Sequence, residues 1–402
     1  MSSSRVIPAI VALTMIAMAG FAGAGAAVTD PVVVVEGVIF LAVALVFVLA
    51  PMAWAVALLC ATIPFADWKP GPAPYGITTL IVGVVLVRML LTSRAQLPAP
   101  IKRSWAMMVI AAALFVPSAF WGPATVNDRA ARLLTIASFL AIVFIVAREV
   151  GGPRWKTIER VLLAELVVGL AIAMVELASQ RWLLPLPKPE IVSARGSVAG
   201  VELFTGEVFR PRGIALSPYG WGQFLAITMP IVWLRLADAL RQRGFGGALW
   251  WIALAGLQAS ALLASLSRKS WLEAAVAAVV FLGILQLDVQ RRRVALILTI
   301  MLVPIGVGAV LNNATSVTYR LESATSAQTL DIRAKTASDA LAMGVDHLPF
   351  GAGLNSFVAT SPERYGVSFS AYNSLWEATA DSGLLGLVGV LMLALIPLMG
   401  VS

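Results

Sequence analysis

The stretch "VFRPRGIALSPYGWGQFL", residues 208–225, sets two guanidiniums, Arg210 and Arg212, just ahead of a long apolar run. Gly213, Gly220 and Gly222 allow close backbone approach, and Pro218 favours a turn or a helix start. Each guanidinium can donate two parallel hydrogen bonds to an oxyanion, so paired arginines at a water–lipid boundary suit phosphate. The same residues could equally snorkel to the interface from a helix end. A second stretch, "LLASLSRKSWLE" (262–273), places Arg268 and Lys269 in a tight turn between two apolar runs. Lys269 and Glu273 are spaced for an i,i+4 ion pair. No carboxylate stands at that spacing from Arg268, and an ionisable group close to membrane depth is a functional candidate by default. A third set comprises Arg320, Arg333, His347 and then "AYNSLWEATADSGLLG" (371–386), with Tyr372, Asn373, Trp376, Glu377 and Asp381.

His347 is the single histidine. It could serve as a general base, or it could pack the turn that holds Pro349 and Gly351. Glu36, Glu165 and Glu176 fall within apolar runs, and Glu176 lies near the outer end of its run, where it could reach the same face. Trp221, Trp271 and Trp376 offer flat faces to a sugar. With one histidine a metal site built on several histidines is impossible. There is no nucleotide-binding glycine loop, and neither a metal nor a cofactor is expected.

These residues need elements to hold them. The 402 residues are 59% hydrophobic and 12% charged, about half the charged share of a soluble domain. Apolar runs of about 18 residues recur, each able to cross a bilayer of roughly 30 Å. Strands of an outer-membrane barrel would instead alternate over roughly ten residues. The fold class is therefore an all-α polytopic membrane protein, with about 12 transmembrane helices and a large extracytoplasmic loop before the last one. Spans are expected near 6–27, 32–49, 51–65, 75–93, 105–122, 130–148, 160–178, 216–237, 248–266, 270–286, 294–311 and 383–401. The run from Val6 to Ala27 is longer than a signal-peptide core and reads as the first span. Cys60, inside an apolar run, is a packing residue.

With the N-terminus inside, every second loop is basic: Arg94, Lys102 and Arg103; Arg148, Arg154, Lys156 and Arg160; Arg235, Arg241 and Arg243; Arg291, Arg292 and Arg293. This is the positive-inside pattern. It accounts for the net charge of +8 without a nucleic-acid partner, and it places both termini in the cytoplasm. Two long segments, 180–215 and 312–382, then fall on the outer face, where ordered loops tend to carry function. The organisation reads as an N-terminal bundle (1–178), an outer loop (179–215), a core of spans (216–311), a large loop (312–382) and a last span (383–402). Within the large loop, 329–344 reads as an amphipathic helix, with Asp331, Lys335 and Asp339 at i,i+4 spacing. "HLPFGAGLNSF" follows as a turn region, and a short helix near 372–381 leads into the final span. No inverted repeat of the kind common in transporters is visible.

Convergent arginines, acids and aromatics on an outer face suit a lipid-linked, anionic, glycan-bearing substrate. At these residues the chain resembles the O-antigen ligase and O-antigen polymerase superfamily of bacterial envelope glycosyltransferases. "FRPRGIALSPYGWGQFL" is similar to that family's Arg-x-x-Gly motif opening a span, and "SLSRKSWL" to its Ser-Arg turn. "RAKTASDALAMGVDHLPFGAGLNSF" resembles its Arg-led helix and Pro-Phe-Gly-x-Gly turn. "YNSLWEATADSGLLG" resembles its His-Asn-x-x-Leu motif ending in Gly-x-x-Gly. The resemblance covers roughly residues 200–400. It implies a metal-independent transferase in the inner (cytoplasmic) membrane, with its active face periplasmic. Such an enzyme moves a glycan from an undecaprenyl-diphosphate carrier to a hydroxyl of an acceptor glycan or lipid, in surface-polysaccharide biosynthesis. Arg210, Arg212, Arg268 and Arg333 would bind the diphosphate, and Asn373, Trp376 and Trp221 the sugar or acceptor. Catalysis would involve Arg268, Glu377, Tyr372 and His347. Tyr372 occupies the place of the family's histidine, and a phenol of pKa about 10 is a poor base. The proton acceptor is then Glu377, Asp381 or Glu176, or His347, or a different group in a polymerase-type reaction. The competing readings are a transporter or flippase of lipid-linked oligosaccharide and a catalytically inactive relative.

Overall fold

The computed structural model describes residues 47, 49–62, 77–92, 99–149, 152, 154–184, 197, 198, 201, 202, 204, 205, 208–215, 217–287, 327–365 and 374–399. Among them helices dominate: α1 (Met52–Ala61), α2 (Ile77–Thr92), α3 (Ala99–Ala113), α4 (Val126–Glu149), α5 (Trp155–Ser179), α6 (Pro218–Ala264), α7 (Arg268–Leu287), α8 (Ala327–Asp346), α9 (Ser356–Tyr365) and α10 (Ser374–Met399). Two short antiparallel ribbons precede α6. In one, Ser197–Val198 pairs with Val201–Glu202; in the other, Phe204–Thr205 pairs with Val208–Phe209.

Among the described residues five helical stretches are long and apolar enough to cross a membrane: Val126–Val146, Trp155–Ser179, Pro218–Gln242, Gly244–Ala264 and Leu375–Leu393. Each overlaps an expected span. The expected spans 6–27 and 294–311 lie outside the described residues, as does all of 32–49 except Phe47 and Leu49. The described helix in the expected span 51–65 has ten residues, short of the ~20 that a crossing takes. The expected span 105–122 splits into α3 and a 3-10 turn, Pro117–Phe120, where proline tolerates a first helical position because that N–H has no partner anyway.

Two expected spans, 216–237 and 248–266, run on as α6, interrupted at Gly244 (φ 65°). Its start is set by chemistry visible in the sequence. Ser217 is the N-cap, its hydroxyl accepting from the Gly220 N–H, and Pro218 follows at the first position. The expected short helix and final span appear as α10, broken at Gly383 (φ 58°, ψ −141°). Helix α9 was not expected: only its first two residues fall in the turn region "HLPFGAGLNSF", and no element is expected over the rest.

The chain divides into two compact units. Unit one comprises Met1–Leu59, Lys69–Trp155 and Thr325–Ser402; unit two comprises Cys60–Trp68 and Lys156–Ala324. In unit one, α10 packs on α3 and α8, and α2 packs on α4. Small residues let α8 approach α10: a Cβ on Gly344 would sit 2.5 Å from the Thr379 carbonyl oxygen, and Ala340 and Ala380 share a buried cluster with Met343, Ala352 and Phe357. Close helix approach through small residues is the membrane packing mode. In unit two, α6 packs on α7, with Leu236, Ala237, Ala239 and Ala248 buried against Trp251 and Phe281.

The turn "PFGAG" in unit one is closely packed. Gly351 and Gly353 both have positive φ (77° and 108°). A Cβ on Gly353 would lie 2.2 Å from the Trp121 carbonyl oxygen, whereas one on Gly83, within α2, would meet nothing within 4 Å. Gly353→Ala is therefore expected to lower stability by about 3 kcal/mol, and Gly83→Ala to change it little. Thermal unfolding of the two variants in detergent checks this. Equal midpoints would show that the turn gives way freely.

Candidate functional site

Unit two gathers the first two motifs at one place. Arg210 and Arg212 are wholly buried (0% and 1% exposed). Arg210 donates from Nε to the Ser265 carbonyl (3.2 Å) and from Nη1 to the Tyr219 hydroxyl (3.4 Å), with its guanidinium 4.4 Å from the Tyr219 ring centroid. The segment carrying Arg-x-x-Gly is thus tied to the Ser-Arg turn, about fifty residues away in the chain. Gly222 makes room for that turn: a Cβ there would come within 2.9 Å of the Ser265 and Ser270 hydroxyls. The turn is held from inside as well. Ser265 Oγ donates to the Leu262 carbonyl, the Ser267 and Ser270 hydroxyls are 2.8 Å apart, and the Trp271 indole N–H donates to the Leu262 carbonyl. Arg268 then opens α7, half-buried. Lys269 pairs with Glu273 at 3.7 Å, as the spacing predicts.

Glu176, at the end of α5, organises the other side of the same segment. Its carboxylate accepts the backbone N–H groups of Arg212 (2.9 Å), Gly213 (3.0 Å) and Leu183 (3.1 Å). Gly213 has φ 54°, and a Cβ on it would meet the Gly169 carbonyl oxygen and the Trp221 ring at 2.9 Å. The glycine of Arg-x-x-Gly is therefore set by conformation and by space. The Arg212 guanidinium donates to the Leu184 carbonyl and lies 4.7 Å from the Trp182 ring centroid, while the Trp182 indole N–H donates to the Arg210 carbonyl. Burial pushes the Arg212 pKa down, against the pull of Glu176. Trp221, expected as a sugar platform, is wholly buried. Its faces are taken by Gly169, Gly213 and Phe224, so its ring offers no surface to a sugar.

Unit one holds the remaining site residues. Asp381, 2% exposed, accepts the Asn355 N–H on Oδ2 (2.9 Å) and the Phe357 N–H on Oδ1 (3.0 Å). It thereby caps the start of α9. The turn "GAGL" is laced to its neighbours by backbone bonds: Ala352 N–H to the Ala380 carbonyl, Gly353 N–H to the Asp381 carbonyl and Leu354 N–H to the Ser118 carbonyl. The Trp121 indole donates to the Gly351 carbonyl, and the Ser118 and Ser382 hydroxyls are 2.7 Å apart.

Glu377, one turn before Asp381, behaves differently. Its Oε1 accepts from Arg132 Nη2 at 2.7 Å, and the Arg132 side chain is 41% exposed. Trp376 is partly buried against the cluster around Met343 and Phe357. His347 is exposed, and its Nδ1 is 2.9 Å from the Met343 carbonyl, the bond of a side chain closing a helix C-terminus. Arg333 lies on α8, half-buried. Lys335 and Asp339 both turn to Tyr365: the ammonium lies 5.8 Å from its ring centroid, and Asp339 accepts its hydroxyl proton. Burial, reinforced by Asp339, pushes the Tyr365 phenol up to about 12, so it stays a neutral donor. Tyr372 and Asn373 lie outside the described residues, as does Arg320.

The sequence reading missed Arg132, Arg129 and the Ser118–Ser382 contact. A signal existed for the arginines. They stand at the start of a span on its expected outer side, where positive charge is disfavoured, the argument that singled out Arg268. Among the described residues no group of three or more His, Cys, Asp or Glu side chains could hold a metal ion.

Residues 253–391 match a family model described as O-antigen ligase. The matched range contains the Ser-Arg turn, α8, the "PFGAG" turn and most of α10. Over this segment it supports an O-antigen ligase-like superfamily, and with it O-antigen ligase-like glycan transfer in general. No curated protein and no solved structure matches the chain.

Proposed function

We propose, with the O-antigen ligase-like segment as premise, that the chain transfers or polymerises a glycan carried on undecaprenyl diphosphate. The reaction takes place at the outer face of the cytoplasmic membrane. The observation that carries this reading is the bond from Arg210 Nε to the Ser265 carbonyl, which draws the Arg-x-x-Gly segment and the Ser-Arg turn together. In the step, the bond between the sugar's anomeric carbon and the carrier's phosphate oxygen breaks. A new bond forms from the acceptor oxygen to that carbon, the acceptor proton leaves to a base, and the electron pair leaves with the diphosphate. Cations placed where this charge develops lower the barrier. Arg268, half-buried at the mouth of α7, is the arginine best placed to reach it, with Arg210 and Arg212 shaping the segment behind.

For the base, the carboxylates sort by what they already hold. Asp381 and Glu176 each accept backbone N–H groups in buried positions and so hold the chain's shape. Glu377, buried as well, is bonded among the described residues by a half-exposed arginine on Oε1, which leaves its other carboxylate oxygen for an acceptor hydroxyl. Purified protein should release carrier diphosphate and elongate or cap an acceptor when given an undecaprenyl-diphosphate-linked glycan. Glu377→Gln should slow that transfer by about a hundredfold, while Tyr372→Phe keeps most of it. The opposite ordering would move the proton transfer to the phenol. A protein that carries the lipid across vesicles but transfers nothing would replace the transferase with a transporter.

A further inference from the structure

Helix α4 begins with two arginines on one face, Arg129 and Arg132, three residues apart. Several features make this an unfavourable place for cations. They stand in the first two turns of a helix, where the backbone dipole is positive. Like charges at this spacing repel. The Thr125 hydroxyl and the Asp128 carboxylate, which might have offset them, are engaged with each other at 2.7 Å, and the Thr125 hydroxyl also accepts the Asp128 N–H. Arg129 Nε and Nη1 are buried and have no hydrogen-bond partner among the described residues. Arg132 spends one nitrogen on Glu377. A buried donor without an acceptor is costly, most of all on a charged group, and such arrangements persist where a ligand supplies the acceptor.

We propose that Arg129 and Arg132 form an oxyanion site in unit one, taking a phosphate or carboxylate group on a membrane-associated ligand. Nε and Nη1 of Arg129 lie on different edges of its guanidinium, so each can donate one charge-assisted hydrogen bond to an oxygen of such a group. Arg132 adds the second positive charge, and Glu377 fixes its position. The site is built from residues of unit one and does not rest on the transfer reading.

The test uses purified full-length protein carrying Arg268→Gln, which removes the half-buried cation of unit two. Its thermal midpoint is followed at constant ionic strength with inorganic pyrophosphate, inorganic phosphate or glucuronate. At least one probe should raise the midpoint, and Arg129→Gln should weaken that probe's apparent affinity at least about tenfold. A response to the phosphates assigns the ligand's group as phosphate; a response to glucuronate assigns it as carboxylate. Arg129→Leu guards against simple misfolding. It removes a charged group whose Nε and Nη1 are buried without a partner, so without probe its midpoint should equal or exceed that of the parent, while its response to the probe is lost. A lower probe-free midpoint for Arg129→Leu would show that the cation is held by the protein itself and would overturn the site. So would a probe response that Arg129→Gln leaves unchanged, or no response to any probe.

Discussion

Arg268→Ala is expected to cut glycan transfer by about a hundredfold or more while the protein still folds. The turn before Arg268 is fixed by bonds that do not use its side chain: Arg210 to the Ser265 carbonyl, Ser265 to Leu262, and the Ser267–Ser270 hydroxyl pair. Truncating a half-buried side chain at a helix start therefore leaves the backbone in place and removes mainly charge. Arg268→Lys should recover part of the rate, because a point charge replaces a planar fork that binds two oxygens at once. Lys269→Ala is the control. That side chain is 71% exposed and pairs with Glu273 at 3.7 Å, an exposed i,i+4 contact worth about 0.5 kcal/mol at most. Rates measured from a lipid-diphosphate donor, normalised to folded protein, decide the matter. If Arg268→Ala transfers as fast as Lys269→Ala, the diphosphate is met elsewhere.

Much of this arrangement could be read from residue types. The five described stretches able to cross a membrane each overlap a span expected from apolar length, and the break in α10 falls at Gly383, in the Gly-x-x-Gly that the sequence sets between a polar helix and an apolar one. The glycines of "PFGAG" and of Arg-x-x-Gly stand where positive φ and close backbone leave no room for a Cβ. Helix α9 was not legible because Pro362 lies inside it and its ten residues are mostly polar, which argues locally against a helix. Its start depends on Asp381, a partner some twenty-five residues away. Sequence spacing shows helical neighbours and cannot show such a cap. The same limit hid the Arg132–Glu377 pair, whose members are 245 residues apart. Lys335 and Asp339 illustrate the converse: correctly spaced to pair with each other, both turn to Tyr365, which α9 brings to them.

Glu176→Ala is expected to destabilise unit two by about 3–5 kcal/mol, the cost typical of removing one partner from a buried charged arrangement. Glu176 is wholly buried. Its Oε2 holds two consecutive N–H groups, those of Arg212 and Gly213, and its Oε1 holds that of Leu183. Alanine would leave the three donors without this acceptor and would take the countercharge from a guanidinium whose pKa burial already lowers. Glu176→Gln separates the two effects. The amide oxygen can replace Oε2 for Arg212 and Gly213, but its NH2 then faces the Leu183 N–H, donor against donor, and the charge is gone. Its loss should fall between wild type and alanine. Glu176→Asp keeps the charge but shortens the reach by one methylene, so it should restore less than its chemistry suggests. Thermal unfolding of the three variants in one detergent gives the order. If Glu176→Gln equals wild type, the carboxylate serves only as a hydrogen-bond acceptor. If Glu176→Ala equals wild type, the segment carrying Arg210 and Arg212 is held by other contacts.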